Sequence, residues 1–200
     1  MSEQLYKLTG NGEALFKDRG SKFYAFAFPV TEKEEIEKHL SDLKKQYYDA
    51  RHHCYAYRLG DIGKVEFSTD DREPSNSAGP PILAAIKSGN LTHAMVVVVR
   101  YFGGTKLGIR GLIEAYRKAA EMALASCSRA AIIPEVCFEL DYAYENTSDI
   151  KRILHPFDLR ELKSNYTDRC VQQFAIHQNH FDRLQQKLEG EGFILKLIEV

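Results

Sequence analysis

Apolar and polar residues alternate near the start of the chain, and this alternation predicts a pair of strands. Residues 13–30, EALFKDRGSKFYAFAFPV, alternate on both sides of KDRG, and Gly20 can adopt the positive φ that a hairpin turn requires. The next segment, TEKEEIEKHLSDLKKQY, places isoleucine and leucine at helical spacing. Thr31 followed by Glu34 matches a capping box, so a surface helix is predicted after the hairpin.

The middle of the chain continues with strands and helices. HHCYAYRLG and KVEFST flank DIG and predict a second strand pair, and residues 80–88 predict a short helix with a proline in its first turn. Residues 94–102 are apolar on both faces, which is typical of a strand buried between two layers. A helix is predicted over residues 109–127. Together these elements predict a mixed α+β domain over residues 1–130.

The pattern restarts near Arg129 and predicts a second domain over residues 131–200. EVCFELDYAY is strand-like, ENTSDIKRILHPF predicts a helix that stops at Pro156, and DLRELKSNYTDRCVQQFAIH predicts two strands about a YTDR turn. NHFDRLQQKLEGEG predicts an amphipathic helix, and FILKLIEV predicts a last strand. The order βαββαβ is the split βαβ arrangement of ferredoxin-like domains. A linker is expected between residues 127 and 133.

Charge is distributed unevenly between the two predicted domains. Residues 1–130 carry 19 Lys+Arg against 16 Asp+Glu, and residues 131–200 carry 8 against 12. Residues 86–130 contain seven basic residues and only two acidic ones, Glu114 and Glu121. The basic excess is therefore local, and it does not by itself require a nucleic-acid partner.

The cysteine pattern and the hydropathy exclude several protein classes. The four cysteines are far apart and show no CxxC spacing, so neither a disulfide framework nor a zinc site is predicted. The N-terminal segment lacks the apolar core of a signal peptide, and no apolar stretch is long enough to span a membrane. We therefore expect a cytoplasmic protein without a membrane partner. The sequence pattern does not indicate any particular oligomeric state.

The segment VVVVRYFGGTKLGIRGL, residues 96–112, predicts a buried strand that leads through a glycine-rich basic loop into a helix. Glycines permit close backbone approach, and the helix N-terminus offers free N–H groups, so a phosphate or another anion fits this position. Arg117 lies two turns beyond Arg110 on the same predicted helix face, opposite the apolar face. The predicted nucleic-acid or anion-binding residues are Gly103, Gly104, Lys106, Gly108, Arg110 and Arg117. Alternatively, the glycines only shape a turn and the charges only solubilise a surface helix.

The stretch STDDREPSNSAGPPIL, residues 68–83, forms an acidic block whose notable residues are Asp70, Asp71, Glu73 and Pro74. Its three carboxylates could hold Mg²⁺ opposite the glycine loop, which would suggest phosphoryl chemistry. The same residue types are typical of a long loop before a helix, with Ser77 or a neighbour as the N-cap. We favour the structural loop, and we predict no metal and no cofactor.

Residue spacing argues against two nucleotide-binding motifs and one catalytic pair. The phosphate-binding pattern GxxxxGK[ST] fails because Leu107 follows Lys106, and GxGxxG is not matched by the loop glycines. His53 and Cys54 are adjacent, and successive side chains of a strand point to opposite faces, so they do not form a nucleophile–base pair. We predict no catalytic residue.

Three ordered blocks within residues 50–116, ARHHCYAYRLG, FSTDDREPSNSAGPPIL and VVVVRYFGGTKLGIRGLIEAY, resemble the IMPACT/YigZ family. The βαββαβ tail is also similar to the C-terminal domain of the bacterial members. Arg72 and Asn76 stand where the family usually has glycine in its acidic block. Arg110 stands where the third block usually continues with glycine.

The resemblance implies an α+β fold with an IMPACT-type N-terminal domain of left-handed βαβ arrangement, like that of a small-subunit ribosomal protein and of domain four of elongation factor G. The tail would resemble a later, ferredoxin-like domain of the same factor. The eukaryotic relatives are translational regulators that compete for the ribosome-associated activator of a starvation-sensing kinase. The resemblance therefore implies a role in translation.

Our leading hypothesis is a non-enzymatic, translation-associated regulatory protein that binds RNA, the ribosome or a translation factor. The glycine loop would provide the contact surface, with Tyr101 and Phe102 available for stacking. One alternative is a Mg²⁺-dependent phosphate-handling enzyme. Another is a protein-interaction module that uses the same two blocks as a docking face.

Overall fold

The computed structural model describes residues 4–60 and 63–198, and it divides into two compact units, Met1–Ile132 (unit 1) and Ile133–Val200 (unit 2). Asp61 and Ile62 of the predicted DIG turn lie outside the described residues, as do the last two residues of the segment predicted as the final strand. Within the described part of the chain, no helix is long and apolar enough to cross a membrane.

Unit 1 is a mixed α+β structure. Its elements are β1 (Tyr6–Leu8), β2 (Gly12–Asp18), β3 (Ser21–Pro29), α1 (Lys33–Gln46), β4 (His52–Leu59), β5 (Val65–Thr69), α2 (Gly79–Ser88), β6 (Leu91–Thr92), β7 (Ala94–Tyr101), α3 (Gly108–Ala125) and β8 (Arg129–Ala131). Five strands form an antiparallel sheet in the order β2-β3-β7-β4-β5. A smaller sheet has the order β6-β1-β8.

Strand β7 lies in the middle of the large sheet and is buried on both faces, as its apolar run predicted. Val96 and Val98 pack into the core formed with α2 and α3. Val97 and Val99 pack into a second core, formed with α1. Helices therefore cover both faces of the sheet, which explains why the strand shows no polar alternation.

Two local features differ in detail from the sequence prediction. The capping box lies one residue later than expected, since α1 begins at Lys33 and the carboxylate of Glu35, rather than Glu34, accepts hydrogen bonds from the N–H groups of Thr31 and Glu32 at 2.6 and 3.4 Å. The boundary between the two units, after Ile132, falls within the predicted linker at 127–133, but this segment also contains strand β8, which pairs antiparallel with β1. The strand is short and its partner is remote in sequence, so the local pattern did not indicate it.

Unit 2 has the βαββαβ order that the sequence predicted. Its elements are β9 (Glu135–Tyr142), a short 3-10 helix (Tyr144–Asn146), α4 (Thr147–Leu154), β10 (Leu159–Tyr166), β11 (Cys170–His177), α5 (Gln178–Gly190) and β12 (Leu195–Leu197). The antiparallel sheet order is β10-β11-β9-β12, the split βαβ arrangement. Phe138, Ile150 and Leu184 are among its core residues.

Candidate functional site

The three sequence blocks meet at one end of the large sheet of unit 1. Strand β4 pairs antiparallel with both β7 and β5, and its register places His52 opposite Arg100 and Tyr55 opposite Thr69. The start of β4 therefore lies beside the ends of β7 and β5. The loop at residues 70–78 (the acidic loop) leaves β5 here, and the loop at residues 102–107 (the glycine loop) leaves β7.

Asp70 caps helix α2 although it lies several residues before the helix in the sequence. Its Oδ1 accepts hydrogen bonds from the N–H groups of Ala78 and Gly79, each at 2.8 Å, and its Oδ2 accepts one from Asn76 at 2.8 Å. The expectation that Ser77 or a neighbour supplies the cap is wrong, because the Ser77 hydroxyl donates to the Pro74 carbonyl at 2.6 Å. The Asp70 carboxylate satisfies helix N–H groups that would otherwise lack acceptors.

Asp71 attaches the acidic loop to strand β4. Its Oδ2 accepts a hydrogen bond from the His53 backbone N–H at 2.7 Å, and its carbonyl oxygen lies 2.9 Å from Nδ1 of His52. Burial lowers the pKa of His53, although the nearby Asp71 carboxylate opposes the shift. Asp71 thus has a structural partner on the first block.

Glu73 belongs to a buried polar network that joins the acidic loop to β7 and α3. Its Oε1 accepts hydrogen bonds from Nη1 of Arg100 at 2.6 Å and from the Tyr116 hydroxyl at 2.8 Å. The Cys54 thiol lies 3.4 Å from the same hydroxyl, and burial raises the pKa of both Cys54 and Tyr116. The interior of unit 1 therefore contains a neutralised ion pair with a hydroxyl partner.

The three carboxylates of the acidic block thus turn to three separate sets of protein partners. Over residues 4–60 and 63–198, no group of histidine, cysteine, aspartate or glutamate side chains is arranged to hold a metal ion. Glu73 joins the acidic block to the strand before the glycine loop and to the helix after it. The three carboxylates are not aimed at one shared ligand.

Glycines in the third block have different roles. A Cβ on Gly103 would lie 1.9 Å from the carbonyl carbon of Gly20, so only glycine allows the glycine loop to touch the β2–β3 turn. Gly104 and Gly108 have φ values of +87° and +73°, in the left-handed region that glycine adopts without strain. A Cβ at either position would meet nothing within 4 Å, so their backbone faces open space.

The acidic loop adopts left-handed backbone at non-glycine residues. Arg72 has φ +70° and Asn76 has φ +62°. These are the two positions in this block where the family resemblance leads one to expect glycine. Arg110, the third departure, lies inside α3, where a residue with a side chain is favoured over glycine.

The basic residues of the third block differ in whether they form an ion pair with a neighbouring glutamate. Arg110 forms an ion pair with Glu114 at 3.2 Å, and Arg117 forms one with Glu121 at 3.0 Å, each across one helical turn. Lys106 has no ion-pair partner among the residues that the structure describes. Lys106 is therefore the loop cation most available to a ligand.

Two adjoining depressions flank Phe102. The first, which we call the basic cleft, has a volume of about 500 Å³ and is lined by Asp49, Arg51, His52, Arg100, Tyr101, Phe102 and Lys106. The second, which we call the apolar pocket, has a volume of about 260 Å³ and is lined by Glu73, Pro74, Arg100, Phe102, Lys106, Leu107, Gly108, Ile109 and Leu112. The sequence analysis singled out Lys106, Gly108, Glu73 and Pro74 from these sets, and it named Phe102 only as a candidate for stacking.

Arg51, His52, Arg100 and Ile109 are lining residues that the sequence analysis did not assign. One signal for Arg100 was available, since it is the charge that ends an all-valine run on a buried strand. Tyr101 is anchored at the cleft, because its hydroxyl donates to Oδ1 of Asp49 at 2.5 Å, and this bond raises the pKa of Tyr101 to about 12. Asp49 is thus occupied, while Lys106 and Arg51 of the cleft have no ion-pair partner within the described residues.

Comparison with known proteins agrees with the motif blocks. The family model described as the Impact N-terminal domain matches residues 19–124, which include all three blocks. IMPACT family member YvyE of Bacillus subtilis (strain 168) is 39% identical over 104 residues, which are 52% of this chain and about half (48%) of that protein. IMPACT family member YigZ of Escherichia coli (strain K12) is 32% identical over 171 residues, covering 75% of this chain and 83% of that protein.

A solved structure described as the crystal structure of a hypothetical protein covers 100% of this chain and 99% of its own, with 25% identity and a TM-score of 0.75. The similarity therefore extends over both units. Because the family model matches more than half of the chain and the three motif blocks lie within the matched residues, the chain belongs to the IMPACT family.

Proposed function

We propose that this protein is a translation-associated regulatory protein that binds RNA through the basic cleft of unit 1 and acts in the cytoplasm. Membership of the IMPACT family supports the link to translation, because the resemblance implies translational regulation in the eukaryotic relatives and elongation-factor-like domains in the bacterial ones. We assign residues 1–130 to the IMPACT-type N-terminal domain and residues 131–200 to the ferredoxin-like C-terminal domain.

The observation that carries the proposal is an exposed aromatic ring beside unpaired cations. Phe102 is 58% exposed although it directly follows the buried strand β7. Lys106 and Arg51, which have no ion-pair partner within the described residues, line the same cleft. Proteins that bind single-stranded nucleic acid combine aromatic stacking surfaces with a cationic groove that follows the phosphates. The cleft combines both features.

In this proposal the residues have distinct roles. Lys106 and Arg51 contact backbone phosphates, and Phe102 stacks on a base. Arg110 and Arg117 add long-range positive potential but contact phosphate less strongly, because each already faces a glutamate one turn away. Gly104 and Gly108 keep the loop surface open beside Lys106.

The two alternatives differ in the support they receive. A Mg²⁺-dependent phosphate-handling enzyme would need the acidic carboxylates to face a shared ion, whereas each has protein donors as partners. We therefore do not propose an enzyme, a metal or another cofactor. A protein-interaction module would use the same cleft for an acidic partner, and that alternative is an outcome of the test below.

Binding of a fluorescently labelled single-stranded RNA, measured by anisotropy at several salt concentrations, tests the proposal. We expect Lys106→Ala and Arg51→Ala each to reduce the slope of log affinity against log salt by about 0.7, the value for one lost phosphate contact. Lys33→Ala, which removes an exposed lysine from the first turn of α1, should leave the slope unchanged.

Two results would contradict RNA binding through this cleft. One is an unchanged salt slope in the Lys106→Ala/Arg51→Ala double variant. The other is recovery of one defined protein partner from a lysate in the same yield before and after nuclease treatment, which would favour the protein-interaction module.

A further inference from the structure

We propose that the apolar pocket receives one unstacked nucleobase, so that the ligand of unit 1 is single-stranded RNA with a base turned out of its stack. This inference rests on the proposed function, because the basic cleft must hold the neighbouring phosphates. It adds a second subsite with different chemistry, and the two subsites can be tested separately.

The placement of the two depressions supports one shared ligand. Arg100, Phe102 and Lys106 line both the basic cleft and the apolar pocket, so these residues form the wall between them. A nucleotide likewise has a charged part and a largely apolar part, with the phosphate on one side of the sugar and the base ring on the other. A strand that follows the cations of the cleft therefore has a base within reach of the pocket.

The pocket is lined by the surface that a base prefers. Its volume is about 260 Å³, and Pro74, Leu107, Ile109 and Leu112 provide most of its apolar wall. Ile109 is 60% exposed and lines the pocket together with the exposed ring of Phe102. Sequence-specific RNA recognition commonly places an unstacked base against an aromatic ring, with polar groups at the base edge. Glu73, Arg100 and Lys106 are the polar groups of this pocket.

The ring of Phe102 is supported by the guanidinium of Arg100. The guanidinium of Arg100 lies 5.5 Å from the ring centroid of Phe23 and 5.8 Å from that of Phe102, between the core and the exposed ring. Glu73 holds Arg100, and Tyr116 holds Glu73. Glu73 and Tyr116 are thus positioning residues for a fixed aromatic surface, which costs less conformational entropy on binding than a mobile one.

Arg100 also carries an unused donor. The residue is only 7% exposed, and its buried Nε has no hydrogen-bond partner within the described part of the chain. A buried donor without an acceptor is uncommon and unfavourable. The Nε atom is enclosed and does not reach the pocket, so the base subsite depends on the ring of Phe102 and the apolar wall.

The absence of tryptophan from the sequence allows a direct test. The Phe102→Trp variant has a single indole at the wall between the two subsites. We expect its emission to be quenched when the full-length protein binds a single-stranded RNA decamer, because the base stacks on the indole. Inorganic polyphosphate, which offers charge without bases, should bind without quenching. Phe67→Trp, at a 42% exposed aromatic position on β5, is the matched control and should respond to neither ligand.

A second pair of variants removes the pocket surface. We expect Phe102→Ala and Ile109→Ser each to weaken binding of the decamer about ten-fold, the scale of one lost base–aromatic stack, while polyphosphate affinity stays unchanged. Both side chains are exposed, so both variants should fold. If the decamer binds with a normal salt slope but neither quenching nor a decamer-specific loss occurs, the base pocket is wrong and the RNA-binding proposal stands. If the decamer does not bind wild-type protein, both proposals are wrong.

Discussion

Oε1 of Glu73 accepts a hydrogen bond from Nη1 of Arg100 at 2.6 Å, and the two side chains are only 4% and 8% exposed. This ion pair links the acidic loop to the end of the buried strand β7. Tyr116, from α3, donates to the same oxygen. The second and third sequence blocks therefore form one structural unit, in which an acidic residue supports the surface formed by the third block.

The buried ion pair should be sensitive to loss of one partner. Glu73→Gln leaves the Arg100 charge buried without a counter-charge, so we expect the free energy of unfolding to fall by about 3–5 kcal/mol. Urea denaturation measures this change. Glu114→Gln removes the partner of the exposed Arg110 and should cost less than about 1 kcal/mol. Equal costs for the two variants would show that Glu73 does not neutralise Arg100.

Glycine at the left-handed positions of the acidic loop should stabilise the protein. Arg72 and Asn76 have positive φ values, which a side chain makes unfavourable. We expect Arg72→Gly to raise the free energy of unfolding by about 0.5–1 kcal/mol and Asn76→Gly to raise it less, because asparagine tolerates this conformation.

The matched control for these glycine variants is Arg110→Gly. Arg110 lies within the regular helix α3, so glycine there should lower stability by about 1 kcal/mol. Thermal or urea denaturation of the three variants distinguishes the two environments. Destabilisation by Arg72→Gly would mean that its hydrogen bond to the Arg51 carbonyl outweighs the backbone strain.

Magnesium should not stabilise the folded protein. Asp71 already accepts the His53 N–H, and Asp70 already accepts three backbone N–H groups. We expect millimolar Mg²⁺ to leave the melting temperature unchanged and Asp71→Ala to cost about 1–2 kcal/mol through its lost hydrogen bond. A rise of several degrees with Mg²⁺ that disappears in Asp71→Ala would instead support a metal site.

Stability should decrease in mild acid because of His53. Burial lowers the pKa of His53 in the folded state below its ordinary value of 6.5. Below about pH 6.5 the unfolded chain binds a proton that the folded chain does not, so the free energy of unfolding falls until the folded-state pKa is reached. Above pH 6.5 this loss is absent.

Urea denaturation between pH 8 and pH 5 tests this dependence. His53→Gln should reduce the decline, whereas the same change at the exposed His180 should leave the profile close to that of the wild type. Burial also lowers the pKa of His39, which stacks on Phe28, so a smaller decline should persist in His53→Gln. A profile that His53→Gln does not flatten would exclude His53 as the acid-sensitive group.

The periodicity of the sequence determined the element types and the fold class. Alternation around Gly20 predicted the β2–β3 hairpin, and the unbroken apolar run predicted that β7 is covered on both faces. In unit 2, the order of strand and helix patterns predicted the βαββαβ arrangement. These features depend on side-chain spacing within one element, so neighbouring residues suffice to predict them. The motif blocks also indicated the family.

Only the tertiary structure decided what the charged residues do. Asp70, Asp71 and Glu73 are close in sequence and looked like one cluster, yet they turn to α2, β4 and β7. The register of β4 with β5 and β7 brings these partners together, and register depends on pairing between segments that are remote in sequence. The same register places His52 opposite Arg100, so that both residues line the cleft with Lys106. Spacing along the chain carries no information on such contacts, because burial and partner choice arise only when the layers pack.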